Sequence, residues 1–149
     1  MAGPHAGVDR IDHFAIYDLE DEHVVGSTGL FDINCRHRTC ELGVGILDPT
    51  RLGKGLGTEA VQLTTDYAIH AIDMHNVQLA VYACNHAGQR AYAKAGFREY
   101  GRRREAILHN GGWWGIIFMD VIYMDVIASE WNSPVMEKMM TPDEPRSAR

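Results

Sequence analysis

Apolar and polar residues alternate in part from Ile11 to Leu19, offering Phe14, Ile16 and Leu19 to a core, and the acidic run from Asp18 to Glu22 reads as a turn. Val24–Ile33 predicts a second strand, the polar and basic Asn34–Thr39 a hairpin tip, and Cys40–Leu47 a third strand. Three such segments joined by short turns form an antiparallel meander. Gly43 and Gly45 interrupt the third strand, where glycine marks a bulge or a place at which a ligand approaches the backbone. The period then changes. From Thr58 to Met74, Val61, Thr65, Ala68, Ile69 and Ile72 share one helical face, while Glu59, Gln62, Asp66 and Asp73 take the other. Val77–Cys84 follows as a strand, so strand, helix and strand make a βαβ unit with parallel strands. A second helix, Ala87–Ala95, stops at Gly96, and Phe97–Leu108 with Trp113–Ile127 form a last hairpin around His109-Asn110-Gly111-Gly112.

A length of 149 residues suits one domain. It occupies residues 11–127, and residues 128–149, with Pro134, Pro142 and Pro145, read as a loosely attached tail. Trp131, Val135, Met136, Met139 and Met140 give that tail enough apolar surface to pack somewhere, a partner being one candidate. A net charge of −6 argues against a general nucleic-acid binder. No apolar run is long enough to cross a bilayer, and the N-terminus lacks a basic segment followed by an apolar core. Three cysteines without framework spacing fit a reducing cytosol, so a cytoplasmic protein is expected. Cys35, His37 and Cys40 lie close in sequence but lack a fourth ligand, so a hairpin tip is expected there and no metal.

Candidate chemistry concentrates between Leu47 and Thr58, where Gly53, Gly55 and Gly57 alternate with Lys54 and Leu56. Glycine permits positive φ and close approach of a ligand to the backbone. A loop of this kind feeding a helix N-terminus aligns N–H donors and the positive end of the helix dipole, which is a site for phosphate. The spacing excludes a P-loop, because no lysine stands directly after the last glycine and before a Ser or Thr. It also excludes the dinucleotide fingerprint, because the glycines are spaced by two throughout. A glycine-rich turn without a ligand is the plainer alternative.

Three segments together resemble the GCN5-related N-acetyltransferase (GNAT) family. Leu52-Gly53-Lys54-Gly55-Leu56-Gly57-Thr58-Glu59-Ala60 is similar to its pyrophosphate loop, with Leu52 in place of the usual Gln or Arg and Arg51 adjacent to supply the charge. Asn85-His86-Ala87-Gly88-Gln89-Arg90-Ala91-Tyr92-Ala93-Lys94-Ala95-Gly96-Phe97 resembles its Asn, Tyr and Lys-x-Gly-Phe segment. The ending from Arg98, with Glu105, Asn110-Gly111-Gly112-Trp113 and Met119, is similar to the branch of ribosomal-protein N-terminal and spermidine acetyltransferases, though Gly115 stands where that branch often has Asp.

The resemblance implies an α/β fold with a mixed, mostly antiparallel sheet, a splayed parallel strand pair and one helix on each side of that pair. It implies acetyl-CoA as cosubstrate, direct transfer to a primary amine of a small molecule, polyamine or protein N-terminus, and no metal. Gly45, Leu47, Leu52, Gly53, Lys54, Gly55, Leu56, Gly57, Thr58 and Asn85 are then expected on the cofactor, with the N–H near Gly45 as donor to the thioester carbonyl. Tyr92 is the expected proton donor to the departing sulfur, against a plain half-buried aromatic. Glu41 is the expected general base, against a strand-edge carboxylate paired with Arg36 or Arg38. Asn85 either bonds the pantetheine arm or caps its helix. Family members begin with a further strand and two helices that this sequence does not show. A longer gene product, a partner or second copy (a dimer) covering the exposed sheet face, or a CoA-binding module with little turnover would each account for that.

Overall fold

The computed structural model describes residues 11–110 and 116–133, and element ranges below refer to these. The meander forms as expected, with β1 (Asp12–Asp18), β2 (His23–Asn34) and β3 (Thr39–Ile46) paired antiparallel. A short helical turn, Pro49–Arg51, leads to α1 (Leu56–Asp66), which widens into a π-type turn over Tyr67–Ala71 before β4 (Asn76–Tyr82). α2 (His86–Ala95) follows, and then β5 (Arg98–Asn110) and β6 (Ile116–Ile127) pair antiparallel. Residues 111–115 of the expected turn, Trp113 and Gly115 among them, lie outside the described residues.

The six strands form one sheet in the order β1-β2-β3-β4-β6-β5, in which the β3–β4 pair alone is parallel. α1 begins two residues before the expected Thr58 because Gly55, at φ 82°, takes the left-handed cap position. Glycine adopts that conformation without the Cβ penalty other residues carry.

Both helices lie on one face of the sheet, a correction to the arrangement of one on each side of the parallel pair that accompanied the resemblance. β4 decides this by its alternation: Val77, Leu79 and Val81 are buried, and Ala80 and Tyr82 are exposed. Val61 and Ala68 from the α1 segment, Ala95 and Phe97 from the α2 end, and Leu30, Leu42, Val77, Leu79, Ile122, Met124 and Val126 from the strands form a single core. The opposite face carries Phe31, Glu41, Gln78, Ala80, Tyr82 and Tyr123, all exposed or half-buried. No helix among the described residues is long and apolar enough to cross a membrane.

Beyond β6, Ala128–Ser133 is held to the fold. Ala128 N–H bonds the His75 carbonyl at 2.7 Å, and the half-buried Trp131 packs against the core. Asp66, buried at the end of α1, accepts from Trp131 Nε1 at 2.7 Å and Ser133 Oγ at 2.6 Å. Residues 134–149, which include the apolar tail positions from Val135 onward, lie outside the described residues.

Candidate active site

The glycine loop is built by its neighbours. Asp48 caps the Pro49–Arg51 turn by accepting from Thr50 N–H at 2.9 Å and Thr50 Oγ1 at 2.6 Å, and these bonds hold its carboxyl below the ordinary range. Arg51 does not offer its charge to the loop. Its guanidinium is bonded to Asp18 at the end of β1 and Asp21 in the β1–β2 turn and lies 3.8 Å from Asp48, which ties the Pro49–Arg51 turn to that hairpin. Arg51 in turn holds the Asp21 carboxyl below its usual range.

The loop cation is therefore Lys54, which is exposed and makes no ion pair among the described residues. Gly53 and Gly55 sit at φ 77° and 82° with open space where a Cβ would point. α1 has no side-chain cap, and its first backbone bond is Glu59 N–H to the Gly55 carbonyl. The N–H groups of Leu56, Gly57 and Thr58 thus precede the first helical bond and point out of the helix end, which suits an anion. Leu47 and Leu52 flank them, 77% and 61% exposed.

The parallel ladder is short. β3 and β4 pair only at Thr39–Asn76, Cys40–Val77 and Glu41–Gln78, although β3 runs on to Ile46 and β4 to Tyr82. A gap therefore opens between two strands whose backbone polar groups point into it. Alternation along the strands shows which ones. Leu47 N–H bonds the Val25 carbonyl and the Gly43 carbonyl accepts from Thr28 Oγ1, so odd-numbered positions of β3 face β2. Gly45 belongs to that set. The groups facing the gap are those of Val44 and Ile46, and Gly45 contributes clearance, with nothing within 4 Å of an added Cβ. On β4, Ala83 N–H goes to β6 at Asp120, which leaves the N–H groups of Ala80 and Tyr82 toward the gap.

Glu41 and Tyr92 stand on opposite faces of the sheet, Glu41 at the edge of this gap. Glu41 is the last β3 residue in the parallel ladder and projects on the helix-free face, half-buried. Arg38 is not its partner, because its Nε and Nη2 both go to Asp73 at 2.7 Å. Tyr92 lies half-buried on α2 against the core, and burial raises its phenol above the ordinary value. Asn85 caps α2, accepting from Gly88 N–H at 2.8 Å, which leaves its exposed carboxamide nitrogen available. A Cβ at Gly88 would come within 2.6 Å of that nitrogen, so a side chain there would displace the Asn85 carboxamide.

Cys35 and His37 are exposed on the β2–β3 turn while Cys40 is buried, so the three do not converge. Among the described residues no three His, Cys, Asp or Glu side chains group as metal ligands. An open apolar cavity of about 420 Å³ lies between β1 and α1, lined by Phe14, Ile16, Leu19, Leu56, Leu63 and Tyr67. Asp18, Thr28, Glu59 and Thr64 line it as well.

A family model described as an acetyltransferase (GNAT) domain matches residues 5–98. The chain belongs to the GNAT family. Within this GNAT chain, 102 residues are 36% identical to the probable N-acetyltransferase YjcK of Bacillus subtilis, covering 68% of the chain and 56% of YjcK. The chain thus spans little more than half the length of that relative. The uncharacterized N-acetyltransferase YnaD of the same organism is 23% identical over 124 residues, which is 83% of the chain and 69% of YnaD. Among solved structures, the spermidine N-acetyltransferase of Vibrio cholerae in complex with CoA and spermine superposes with a TM-score of 0.72 at 27% identity. That superposition covers 80% of the GNAT chain and 67% of the Vibrio protein.

Four residues on the helix-free face were not singled out by sequence: Gln78, Tyr100, Tyr123 and Asp125. Tyr100 hydroxyl donates to Gln78 Oε1 at 2.6 Å, and the Tyr100 and Tyr123 rings lie 6.0 Å apart. Asp125 accepts from Asn76 Nδ2 at 3.0 Å. Strand alternation places each of these side chains on one face or the other, but their meeting depends on strand order, which local pattern does not carry.

Proposed function

We propose that this chain transfers the acetyl group of acetyl-CoA directly to a primary amine. The observation that carries the reading is the β3–β4 ladder, which stops at Glu41–Gln78 while both strands continue beside an uncapped helix N-terminus. Family membership and the CoA complex of the Vibrio relative support it.

On this reading the N–H groups of Leu56, Gly57 and Thr58 bind the pyrophosphate, with Gly53 and Gly55 shaping the loop and Lys54 adding charge. Leu47 and Leu52 pack on the cofactor beside them. Val44 and Ile46 on one side, and Ala80 and Tyr82 on the other, pair with the amides of the pantetheine arm as a strand would. A gap-facing N–H of β3 stabilises the oxyanion that develops when the amine adds to the thioester carbon. Glu41 takes the proton the amine loses, directly or through water. Tyr92 gives its proton to the sulfur as the carbon–sulfur bond breaks, and regains one from solvent. Asn85 bonds the arm with the carboxamide nitrogen its cap leaves open.

The test is a thiol-release assay over diamines, amino sugars and peptides, run beside calorimetry with CoA. CoA binding with amine-dependent thiol release is expected. CoA binding without release for any amine would identify a binding module, and no CoA binding would overturn both readings.

A further inference from the structure

α1 and the π-type turn after it have two apolar sides, and the sheet covers only one. Val61 and Ala68 face the core, fully buried. Leu56, Ala60, Leu63 and Tyr67 recur at the same helical interval on the flank toward β1, where they line the open cavity opposite Phe14 and Ile16. Leu63 is 46% exposed there. The Tyr67 hydroxyl donates to Asp12 Oδ2 at 2.8 Å and its ring meets Phe14 edge-on at 5.1 Å, which ties the two walls together at that end. From Leu56 to Tyr67 the groove runs about 16 Å at the helical rise, long enough for two to three turns of a second helix.

The chain itself returns to the Tyr67 end of this groove. Ser133 Oγ donates to Asp66 Oδ2 at 2.6 Å, so the last described residue lies beside the residue that precedes Tyr67. Residues 134–149 follow from that point. Rounding the end of α1 means crossing a helix about 10 Å wide, and an extended chain of this length spans about 50 Å, three times the groove. Val135, Met136, Met139 and Met140 stand in the sequence at the spacing of one helical side. The remainder, from Thr141 to Arg149, is charged and proline-rich and has no such side. Methionine is unbranched and fills irregular apolar hollows, which suits a groove floored by rings and branched side chains.

We propose that residues 135–140 of this chain dock in the groove between β1 and α1, with their methionines against Phe14, Leu63 and Tyr67. Docking closes the second apolar flank of the helix whose first turn carries the glycine loop. The proposal does not depend on the transfer reading.

The experiment is nuclear magnetic resonance on the full chain with its methionine methyls labelled, each tail methyl assigned by its own Met→Leu variant. The Met136, Met139 and Met140 methyls should show Overhauser contacts to the Phe14 and Tyr67 rings, and at least one should be displaced from its unfolded-chain position by ring current. Leu63→Asp places a charge on the groove wall at a half-exposed position, and Met139→Asp places one on the tail. Both should abolish the contacts, while the Trp131 indole N–H that bonds Asp66 reports that the fold is intact. Tail methyls at unfolded-chain positions, contacts to rings elsewhere in the fold, or contacts that survive both Asp variants would each overturn the proposal. A mixture of labelled and unlabelled chains separates the remaining occupant: contacts found only between chains would give the groove to a second copy and overturn docking within one chain.

Discussion

The indole nitrogen of Trp131 donates to Asp66 at 2.7 Å, joining the segment after the last strand to the end of α1. Asp66 is only 5% exposed, so this bond and the one from Ser133 satisfy a carboxylate that water scarcely reaches. Removing one donor to a buried carboxylate leaves part of its desolvation uncompensated. Trp131→Phe, which keeps an aromatic ring on the core but removes the donor, should therefore lower unfolding stability by about 1–3 kcal/mol in urea titration. A loss below about 0.5 kcal/mol, the usual range for surface changes, would mean the bond does not matter.

The glycines of the loop should separate by conformation. Gly55→Ala forces a side chain into φ 82°, which costs roughly 1–2 kcal/mol and displaces the first N–H groups of α1. CoA affinity measured by calorimetry should fall about tenfold, the equivalent of about 1.4 kcal/mol. At Gly57 no positive φ is required, and an added Cβ meets only Ile46 Cγ1 at 3.8 Å. Gly57→Ala should bind CoA more tightly than Gly55→Ala. The reverse order would remove loop shape from the account.

Tyr92 offers a kinetic signature. Burial holds its phenol above the ordinary value of 10.0, so it stays protonated and able to donate through the neutral range. Tyr92→Phe should lower kcat by about a hundredfold, as loss of a general acid does, with little change in CoA affinity. In the wild-type chain the rate should show no descending limb from this group below pH 10.0. Such a limb, abolished by the Phe variant, would contradict the buried phenol.

Cys40 should make the fold sensitive to alkali. Burial pushes its thiol from 9.0 up to about 12, so the folded chain favours the neutral form more strongly than the unfolded chain does. The contribution is complete below pH 9.0 and is lost as pH rises toward 12. The slope from this one group is at most about 1.4 kcal/mol per pH unit. Cys40→Ala should reduce the decline in urea midpoint over that window, and an identical decline would assign it to other groups.

Much of the fold was legible because its signals are local. Period-two runs gave the meander, the change to helical spacing after Thr58 gave α1, and Asn85 with Gly96 bracketed α2 to within one residue. The glycine loop was legible for the same reason: a left-handed backbone needs glycine where it occurs. Arg51 was misjudged because the partners that claim its guanidinium lie 33 and 30 residues earlier. The role of Asp66 depends on a tryptophan 65 residues later. The alignment of Glu41, Gln78 and Asp125 across β3, β4 and β6 was beyond reach for a topological reason. β6 inserts between β4 and β5, so sheet neighbours are not sequence neighbours.

Placing α1 and α2 on the same face makes the sheet a partition one strand layer thick. The loop that opens α1 and the phenol on α2 belong to one compartment, and Glu41, Gln78 and Asp125 belong to the other. Substitutions at Glu41, Gln78 or Asp125 then change the helix-free face without entering the compartment of the glycine loop and the phenol. One face of the sheet can therefore be rebuilt through alternate strand positions while the packing that shapes the glycine loop stays as it is.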